Sequence, residues 1–193
     1  LKYFDRRIYT LQCNWKVYVD NYLDGGYHVP HAHKGLSSVI EYTSYTIENF
    51  ERSCLQSSPL SSHSKSKKDV AATRQGRAFY LWIYPNFMIN AYEGVMDTNL
   101  VLPLAVDKCA VIFDYYFSDV SAKALKKNQA SVKVSEKVQE EDEAICDSVQ
   151  RGLASRAYIA GRLSVRREAG EHLFHRLLHT DLTRALGHSA AAD

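Results

Sequence analysis

Four consecutive segments of this 193-residue chain have the residue pattern of β-strands and are separated by short connections. They cover residues 79–84, 87–92, 99–104 and 109–117. In the last segment Val111, Phe113 and Tyr115 occupy every second position, which is the period of a strand with one buried face. Parallel strands need a crossover of about a dozen residues or more, so segments joined this closely are expected to pair antiparallel. The sequence therefore predicts an antiparallel sheet.

Helical patterns occur both before and after these strands. Residues 6–19 predict a strand that runs into a helical turn near Trp15, and residues 17–27 carry apolar residues at helical spacing. After the strands, residues 120–160 predict a long amphipathic helix whose apolar stripe includes Val138, Val149 and Leu153, and residues 168–186 predict a second helix. Strands followed by helices without strict alternation are typical of an α+β fold, with the helices packed on one face of an antiparallel sheet.

Two segments between the first helix and the strands have different characters. Residues 38–51 partly follow the period of a strand or hairpin. Residues 56–76 are rich in Ser and Lys and contain Pro59 and Gly76, so they predict an exposed loop rather than a domain boundary. We therefore expect residues 1–193 to form one domain.

Composition and charge exclude several classes of protein. The net charge is +2 with both signs interspersed, and no apolar run reaches the length that spans a bilayer, so neither nucleic acid nor a membrane is expected as a partner. The four cysteines form no CxxC pair and predict buried or incidental thiols rather than a zinc or iron–sulfur site. The chain starts at Leu1, and the first residues already have the pattern of a structured region. We therefore expect it to be a fragment of a longer protein.

Two histidines are the first candidates for a metal site. His28 and His33 lie five residues apart across Pro30, where a predicted helix ends, so both rings can converge on one point. Two imidazoles and one carboxylate, with other positions open, form the ligand set of non-haem Fe(II) oxygenases. His31 lies between them and is expected to point away. The alternative interpretation is that these histidines are ordinary core or surface residues.

The acidic and amide residues before the histidines could support such a site. Asp20, Asn21 and Asp24 lie on the same predicted helix and could accept hydrogen bonds from imidazole N–H groups.

A carboxylate ligand would have to come from another element. The acidic run at residues 140–143 lies in the long predicted helix, where such a run is ordinarily a solvated face. Asp142 nevertheless lies at the edge of the apolar stripe, and an inward carboxylate there is costly unless it is paired or bound to metal. Periodicity alone does not exclude Glu141.

Aromatic residues on neighbouring predicted strands offer a substrate pocket. Tyr84, Phe87, Tyr92 and Tyr115 are the candidates, because an aromatic-lined cavity can hold a quaternary ammonium by cation–π attraction. The alternative is that these rings form the core of the sheet.

A second group of histidines, at positions 172, 175 and 179, is assigned to packing or to a partner interface.

Several of these segments together resemble a known family, the Rieske-type oxygenase α subunits, and within it the plant choline monooxygenases. The resemblance lies in the segments CNWKV (13–17), DNYLDGGYHVP (20–30) with His33, YPNFMIN (84–90), MDTNLVLPL (96–104), and Glu141-Asp142 followed by SVQRGL (148–153). It covers nearly the whole chain apart from the Ser/Lys-rich loop and the C-terminal tail.

The resemblance implies a site and a fold. His28, His33 and Asp142 would be the ligands of a mononuclear Fe(II), Asn21 would lie near the iron, and the fold would be the helix-grip catalytic domain. In relatives an acidic residue three positions before the first histidine carries electrons from the Rieske cluster of a neighbouring subunit to the iron site. That position is Gly25 here, and the neighbouring Asp24 is the candidate for the role.

The resemblance also implies a reaction and partners. O2 and two electrons would hydroxylate a quaternary ammonium substrate, for choline giving betaine aldehyde hydrate. Ferredoxin would be the electron donor, a homo-oligomer such as a trimer is expected, and the chloroplast stroma would be the location. The CxH…CxxH motif of the [2Fe-2S] Rieske cluster is not in this sequence, so we expect that cluster upstream in the full-length protein.

Three alternatives remain open from the sequence. A related oxygenase could act on carnitine, glycine betaine or an aromatic substrate. A non-catalytic helix-grip domain could bind a ligand without reacting it. A zinc hydrolase is disfavoured because the chain has no HExxH helix.

Overall fold

Seven antiparallel strands form a single sheet, and three helices lie against it in the computed structural model, which describes residues 1–26, 42–60 and 76–187. The strands are β1 (Lys2–Leu11), β2 (Thr46–Asn49), β3 (Ser53–Pro59), β4 (Arg77–Ile83), β5 (Phe87–Tyr92), β6 (Val95–Ala105) and β7 (Lys108–Phe117). The helices are α1 (Trp15–Leu23), α2 (Leu125–Leu153) and α3 (Ala169–Ala185), and a short 3-10 turn covers Tyr42–Ser44.

The strand order across the sheet is β1-β7-β6-β5-β4-β3-β2, so every neighbour but one is also a neighbour in sequence. The exception is β1, which pairs antiparallel with β7 from Lys2 opposite Phe117 to Leu11 opposite Cys109. The predicted antiparallel α+β fold is confirmed. Strands β4 to β7 form hairpins in chain order because their connections are too short for any other pairing.

One face of the sheet is buried by the helices, and we call it the inner face. Along β7 the inward residues Cys109, Val111, Phe113, Tyr115 and Phe117 are at most 5% exposed, as the period of two requires. Helix α1 packs on β6 and β7, α2 on β1 and α1, and α3 on β2 and α1. No helix within the described ranges combines the length and apolar character needed to cross a bilayer.

The joint between α3, α1 and the sheet is aromatic. The Phe174 ring is fully buried and makes edge-on contacts with Trp15 of α1 at 5.7 Å and with Trp82 of β4 at 5.6 Å between ring centroids. Edge-to-face ring pairs of this kind stabilise the fold by more than the burial of their apolar area alone would. Phe174 therefore holds the last helix onto both of its neighbours.

Strand β3 corrects one sequence prediction. Residues 56–59, expected in an exposed loop, belong to this strand, and Gln56, Ser57 and Ser58 are buried. Their polar side chains concealed the strand because backbone pairing with β2 and β4 does not depend on side-chain polarity. Residues 61–75 of the same predicted loop lie outside the described residues.

The inward face of α2 also differs from the apolar stripe predicted from sequence. Its most buried residues are Asn128, Ser131, Val132, Gln139 and Cys146. Val149 and Leu153, predicted to face the core, are 43% and 40% exposed. The helix thus presents a largely polar surface to α1 and the sheet, which is where the candidate site lies.

Replacing Phe174 with Ala should lower the free energy of unfolding by about 3–5 kcal/mol, the usual cost of removing a buried aromatic ring. The matched control is Leu182→Ala on the same helix, where the side chain is 51% exposed and the expected change is within about 0.5 kcal/mol. Chemical denaturation of both variants measures the difference. Equal stability of the two variants would contradict the role assigned to Phe174.

Candidate active site

Some of the predicted site residues can be placed and some cannot. His28, His33 and the neighbouring His31 lie outside the described residues. Asn21 lies in the last turn of α1, Asp24 follows that helix directly, and Asp142 lies in the second half of α2. Of the three predicted metal ligands, only Asp142 lies among the described residues, and it lies where α2 contacts α1.

Asn21 and Asp142, 121 residues apart in sequence, are joined directly. The Asn21 Nδ2 group donates a hydrogen bond of 2.7 Å to Asp142 Oδ1. Asp142 lies three residues after Gln139 and four before Cys146, both fully buried, so it continues the inward stripe of α2 and is itself half-buried. Asp142, one of the two acids that periodicity left open, is therefore bonded to α1.

A second hydrogen bond joins the same two helices one turn earlier. The hydroxyl of Tyr18 donates to Gln139 Oε1 at 2.7 Å, and both side chains are buried. Burial raises the pKa of Tyr18 well above its usual value, and the nearby negative charge of Asp142 raises this pKa further. Among the described residues nothing bonds to Gln139 Nε2, so a buried N–H donor lies one turn from Asp142.

A row of polar residues crosses the inner face of the sheet beneath α1. Direct cross-strand pairing aligns its members, one on each of five neighbouring strands from β3 to β7. We call this the polar row: Gln56, Tyr80, Asn90, Asp97 and Tyr115. Directly opposite residues in a sheet lie close enough to interact through their side chains.

Helix α1 is bonded to this polar row through Tyr22. Its hydroxyl donates to Asn90 Oδ1 at 2.9 Å, and its main-chain oxygen accepts from Gln56 Nε2 at 2.8 Å. Asn90 Nδ2 in turn donates to Asp97 Oδ2 at 2.7 Å. Sequence reasoning missed Asp97, although its position two residues before Asn99 and four before Val101 put it on the buried side of β6.

Two of the four predicted substrate residues lie on this inner face. Tyr115 is a member of the polar row, and its hydroxyl donates to Ser135 Oγ of α2 at 3.1 Å. Tyr92 donates to the hydroxyl of Tyr80 at 3.3 Å, and their rings meet edge-on with centroids 6.0 Å apart. The Tyr45 ring stacks with the Tyr80 ring, with their centroids 6.5 Å apart.

The structure does not bring the other two predicted residues to this place. Phe87 lies opposite the outward residue Ile83, because Met88 takes the inward position on β5, so the sequence-based grouping of Phe87 with Tyr92 is corrected. Tyr84 lies beyond the end of β4, where its hydroxyl donates to Asp181 of α3 at 2.9 Å. The guanidinium of Arg52 covers its ring at 4.5 Å, so Tyr84 belongs to the packing of α3.

The turn after α1 explains why an acid is missing from position 25. Gly25 has φ +69°, and a β-carbon built there would overlap the main-chain carbonyl of Arg167. No residue with a side chain fits at this position without moving that carbonyl. The adjacent Asp24 accepts a hydrogen bond from the Gly26 main-chain N–H at 2.8 Å, which fixes its carboxylate within the turn.

A second group of titratable residues lies where α1 meets α3. One ligand-type atom each from Asp20, Glu171 and His175 lies within 4.8 Å of the others, and His175 Nε2 is 2.9 Å from Asp20 Oδ1. Burial raises the pKa of Glu171 to about 8, with the charges of Asp20, Glu168 and Asp24 adding to the effect. The hydrogen bond to Asp20 raises the pKa of His175, which therefore has a partner on α1 rather than facing solvent alone.

Comparison with known proteins identifies the family to which this chain belongs. Residues 1–183 match the family described as the ring hydroxylating alpha subunit (catalytic domain), and the chain belongs to that family. It is 48% identical over 186 residues to a chloroplastic choline monooxygenase of Arabidopsis thaliana, covering 94% of this chain and 42% of that protein. A chloroplastic choline monooxygenase of Beta vulgaris is 38% identical over 182 residues, which cover 94% of this chain and 40% of that protein.

A solved structure gives the same result for the fold. The quaternary ammonium Rieske monooxygenase CntA, in complex with an inhibitor, superposes with a TM-score of 0.78 at 25% identity, over 93% of this chain and 50% of that one. The chain spans about two fifths of the length of the two plant relatives.

Gly25→Ala should destabilise the protein by about 2 kcal/mol or more, because the positive φ and the contact with the Arg167 carbonyl both disfavour a β-carbon. Gly152→Ala is the control, since Gly152 lies in α2 with open space around it and Ala is favoured there by about 0.5–1 kcal/mol. Denaturation curves should shift in opposite directions. Unchanged stability of Gly25→Ala would show that the turn tolerates a side chain.

Glu171→Gln should stabilise the protein more at pH 8.5 than at pH 5. A carboxyl whose pKa is raised to about 8 on folding binds its proton more tightly in the native state, so stability falls as pH rises from the unfolded value through about 8. Gln removes that titration. Melting temperatures at the two pH values measure the effect, with Glu93→Gln at an exposed turn as the control. A shift of equal size at both pH values would contradict the interpretation.

Proposed function

We propose that this chain is the mononuclear-iron domain of an oxygenase that hydroxylates choline to betaine aldehyde hydrate. Membership of the ring-hydroxylating family carries the proposal, together with the Asn21–Asp142 hydrogen bond that directs an inward carboxylate toward α1. The iron ligands would be His28, His33 and Asp142. Two imidazoles and a carboxylate suit Fe(II) and leave open positions on one side.

The surroundings of Asp142 fit a metal ligand. Its carboxylate is half-buried, and one oxygen is oriented by an amide from another helix, as supporting residues orient metal-bound carboxylates. Gln139 Nε2, which has no hydrogen-bond partner among the described residues, offers a further donor one turn of α2 away. When bound, the iron would supply the activation of O2. The contribution of the protein is to hold Asp142 in position through Asn21.

The inner face supports a quaternary ammonium as substrate. The rings of Tyr45, Tyr80 and Tyr92 lie together at centroid distances of 6.0–6.5 Å, and Tyr115 lies at the other end of the polar row. The face of an aromatic ring attracts a cation even when the cation has no N–H group to donate. This cation–π attraction contributes about 2 kcal/mol or more when water is excluded. We therefore assign Tyr80 and Tyr92 to substrate binding, in place of Tyr84 and Phe87.

The reaction needs partners that this chain does not itself contain. One oxygen atom of O2 enters the alcohol carbon and the other leaves as water, which consumes two electrons and two protons. We propose that a [2Fe-2S] Rieske cluster elsewhere in the full-length protein delivers the electrons from ferredoxin, across the subunits of a homo-oligomer. The chloroplastic plant relatives support the chloroplast stroma as the location.

Substitution of His33 or Asp142 by Ala in the full-length protein should abolish retention of Fe(II) at the mononuclear site, while the fold measured by circular dichroism stays intact. His175→Ala is the matched control, because His175 is bonded to Asp20 and should leave iron content unchanged. Anaerobic Fe(II) loading followed by metal analysis measures both. Iron retained in Asp142→Ala, or lost in His175→Ala, would overturn the ligand assignment.

Product analysis tests the substrate. The full-length protein, reconstituted with a reductase and ferredoxin, is supplied separately with choline, carnitine, glycine betaine and an aromatic acid. Betaine aldehyde hydrate from choline, in amounts equal to O2 consumed, supports the proposal. Turnover of carnitine or of the aromatic acid alone would replace choline with that substrate, and absence of all turnover with iron bound would favour a ligand-binding domain.

A further inference from the structure

We propose that Tyr18 of α1 and Gln139 of α2 are positioning residues for the mononuclear iron site. The Tyr18 hydroxyl donates to Gln139 Oε1 at 2.7 Å, and the two residues are 4% and 2% exposed. Neither residue is expected to touch the iron or the substrate. This inference rests on the proposed function and adds to it the contact that aligns the proposed iron ligands.

The proposed iron ligands come from two separate parts of the chain. Asp142 lies on α2, whereas His28 and His33 belong to the segment that follows α1. A metal binds its ligands at fixed distances, so a site has to hold them within about 0.5 Å of the required positions. The position of α2 relative to α1 therefore affects how well Asp142 matches the two histidines.

Two side-chain hydrogen bonds join the same faces of these helices. Gln139 and Asp142 are three residues apart on α2, and their partners Tyr18 and Asn21 are three residues apart on α1, so each pair lies on one helix face. Both bonds are 2.7 Å long. A single bond fixes one distance between two helices, whereas a second bond one turn away also restricts their rotation about that contact.

The other hydrogen bond between this part of the chain and α2 lies further from the site. The main-chain N–H of Asn14, the N-cap of α1, donates to Gln150 Oε1 at 2.7 Å. Gln150 follows Asp142 by two turns of α2, which is about 12 Å along the helix axis. This bond anchors the start of α1, so Tyr18 and Gln139 are left to restrict the orientation of α2 near Asp142.

The pair of Tyr18 and Gln139 fixes position more than it adds stability. Burying a hydroxyl and an amide removes their hydrogen bonds with water, and Gln139 Nε2 has no partner among the residues that the structure describes. Two apolar side chains of similar volume would be neutral or better for folding. Apolar contacts, however, tolerate more than one packing arrangement, whereas a hydrogen bond is directional.

A double substitution in the full-length protein separates position from stability. Tyr18→Phe combined with Gln139→Leu removes both polar groups and keeps most of the buried volume, so the denaturation midpoint should be unchanged or higher. Affinity for Fe(II) at the mononuclear site, measured anaerobically by competition with a chelator, should fall about tenfold, as it does when a residue that supports a metal ligand is removed. Fe(II) affinity within about twofold of the unsubstituted protein would overturn the inference.

Nitric oxide provides a second readout, of the ligand geometry itself. It binds mononuclear Fe(II) and gives a paramagnetic adduct whose electron paramagnetic resonance line shape depends on the arrangement of the ligands. The double variant should give a broadened or shifted signal, because Asp142 is no longer held in one position. Weaker Fe(II) affinity with an unchanged line shape would also overturn the inference, since the loss would then not be one of geometry.

The matched control is Tyr84→Phe, which removes the same group from a bond that does not join α1 to α2. The Tyr84 hydroxyl donates to Asp181 of α3 at 2.9 Å. Fe(II) affinity should stay within about twofold in this variant. If the double variant does not fold, Tyr18→Phe alone carries the test against this control, and equal Fe(II) affinities of the two single variants would overturn the inference.

Failure of the proposed function gives a different result. An unsubstituted full-length protein that binds no Fe(II) at the mononuclear site would refute both the function and the positioning role. Fe(II) binding without oxidation of choline would refute the proposed reaction only, because the positioning role is decided by Fe(II) affinity and line shape. A protein that oxidises choline, and whose double variant keeps both readouts, would refute the positioning role alone.

Discussion

Helix α1 is held in place by side chains at three successive positions of its inner side. Tyr18 and Asn21 are bonded to α2, and Tyr22 is bonded to the polar row of the sheet. A helix of nine residues is marginal in isolation, so these contacts decide both that α1 forms and where it lies. Because the chain leaves α1 through the turn at Gly25 and Gly26, the position of α1 also fixes the starting point of the segment that carries His28 and His33.

The same contacts account for the unusual polarity of the interior. A face buried between a sheet and helices is ordinarily apolar, yet here it holds Gln56, Asp97, Asn99 and Gln139, all at most 5% exposed. Most of their polar groups are paired with one another, with tyrosine hydroxyls or with the main-chain oxygen of Tyr22, which limits the cost of burial. Such a network adds less stability than apolar packing of the same volume would, so its main effect is to fix the positions of α1 and α2 on the sheet.

The sequence allowed the sheet to be predicted better than the site. Strands β4 to β7 have short connections and clear alternation, so their pairing followed from local pattern. Strand β3 did not, because Gln56, Ser57 and Ser58 face polar partners that only the folded chain brings near. Alternation could have placed Phe87 outward and Asp97 inward, since Met88 and Val101 mark the buried side of their strands. The pairing of Asn21 with Asp142 depends on the packing of two distant helices, and no local pattern encodes it.

The departure of this chain from the expected acid at position 25 follows from the way α3 and the residues just before it pack. The Arg167 carbonyl occupies the space that a β-carbon of residue 25 would need, and Gly170, at the start of α3, is packed against Leu23 and Cys54. His175, further along the same helix, reaches Asp20 of α1. Contacts with α1 and with the turn after it thus come from one stretch of chain, so a side chain at position 25 could be accommodated only by moving the Arg167 carbonyl in that same stretch. The segment from Arg167 to His175 therefore both excludes a side chain at position 25 and contacts α1 at Asp20.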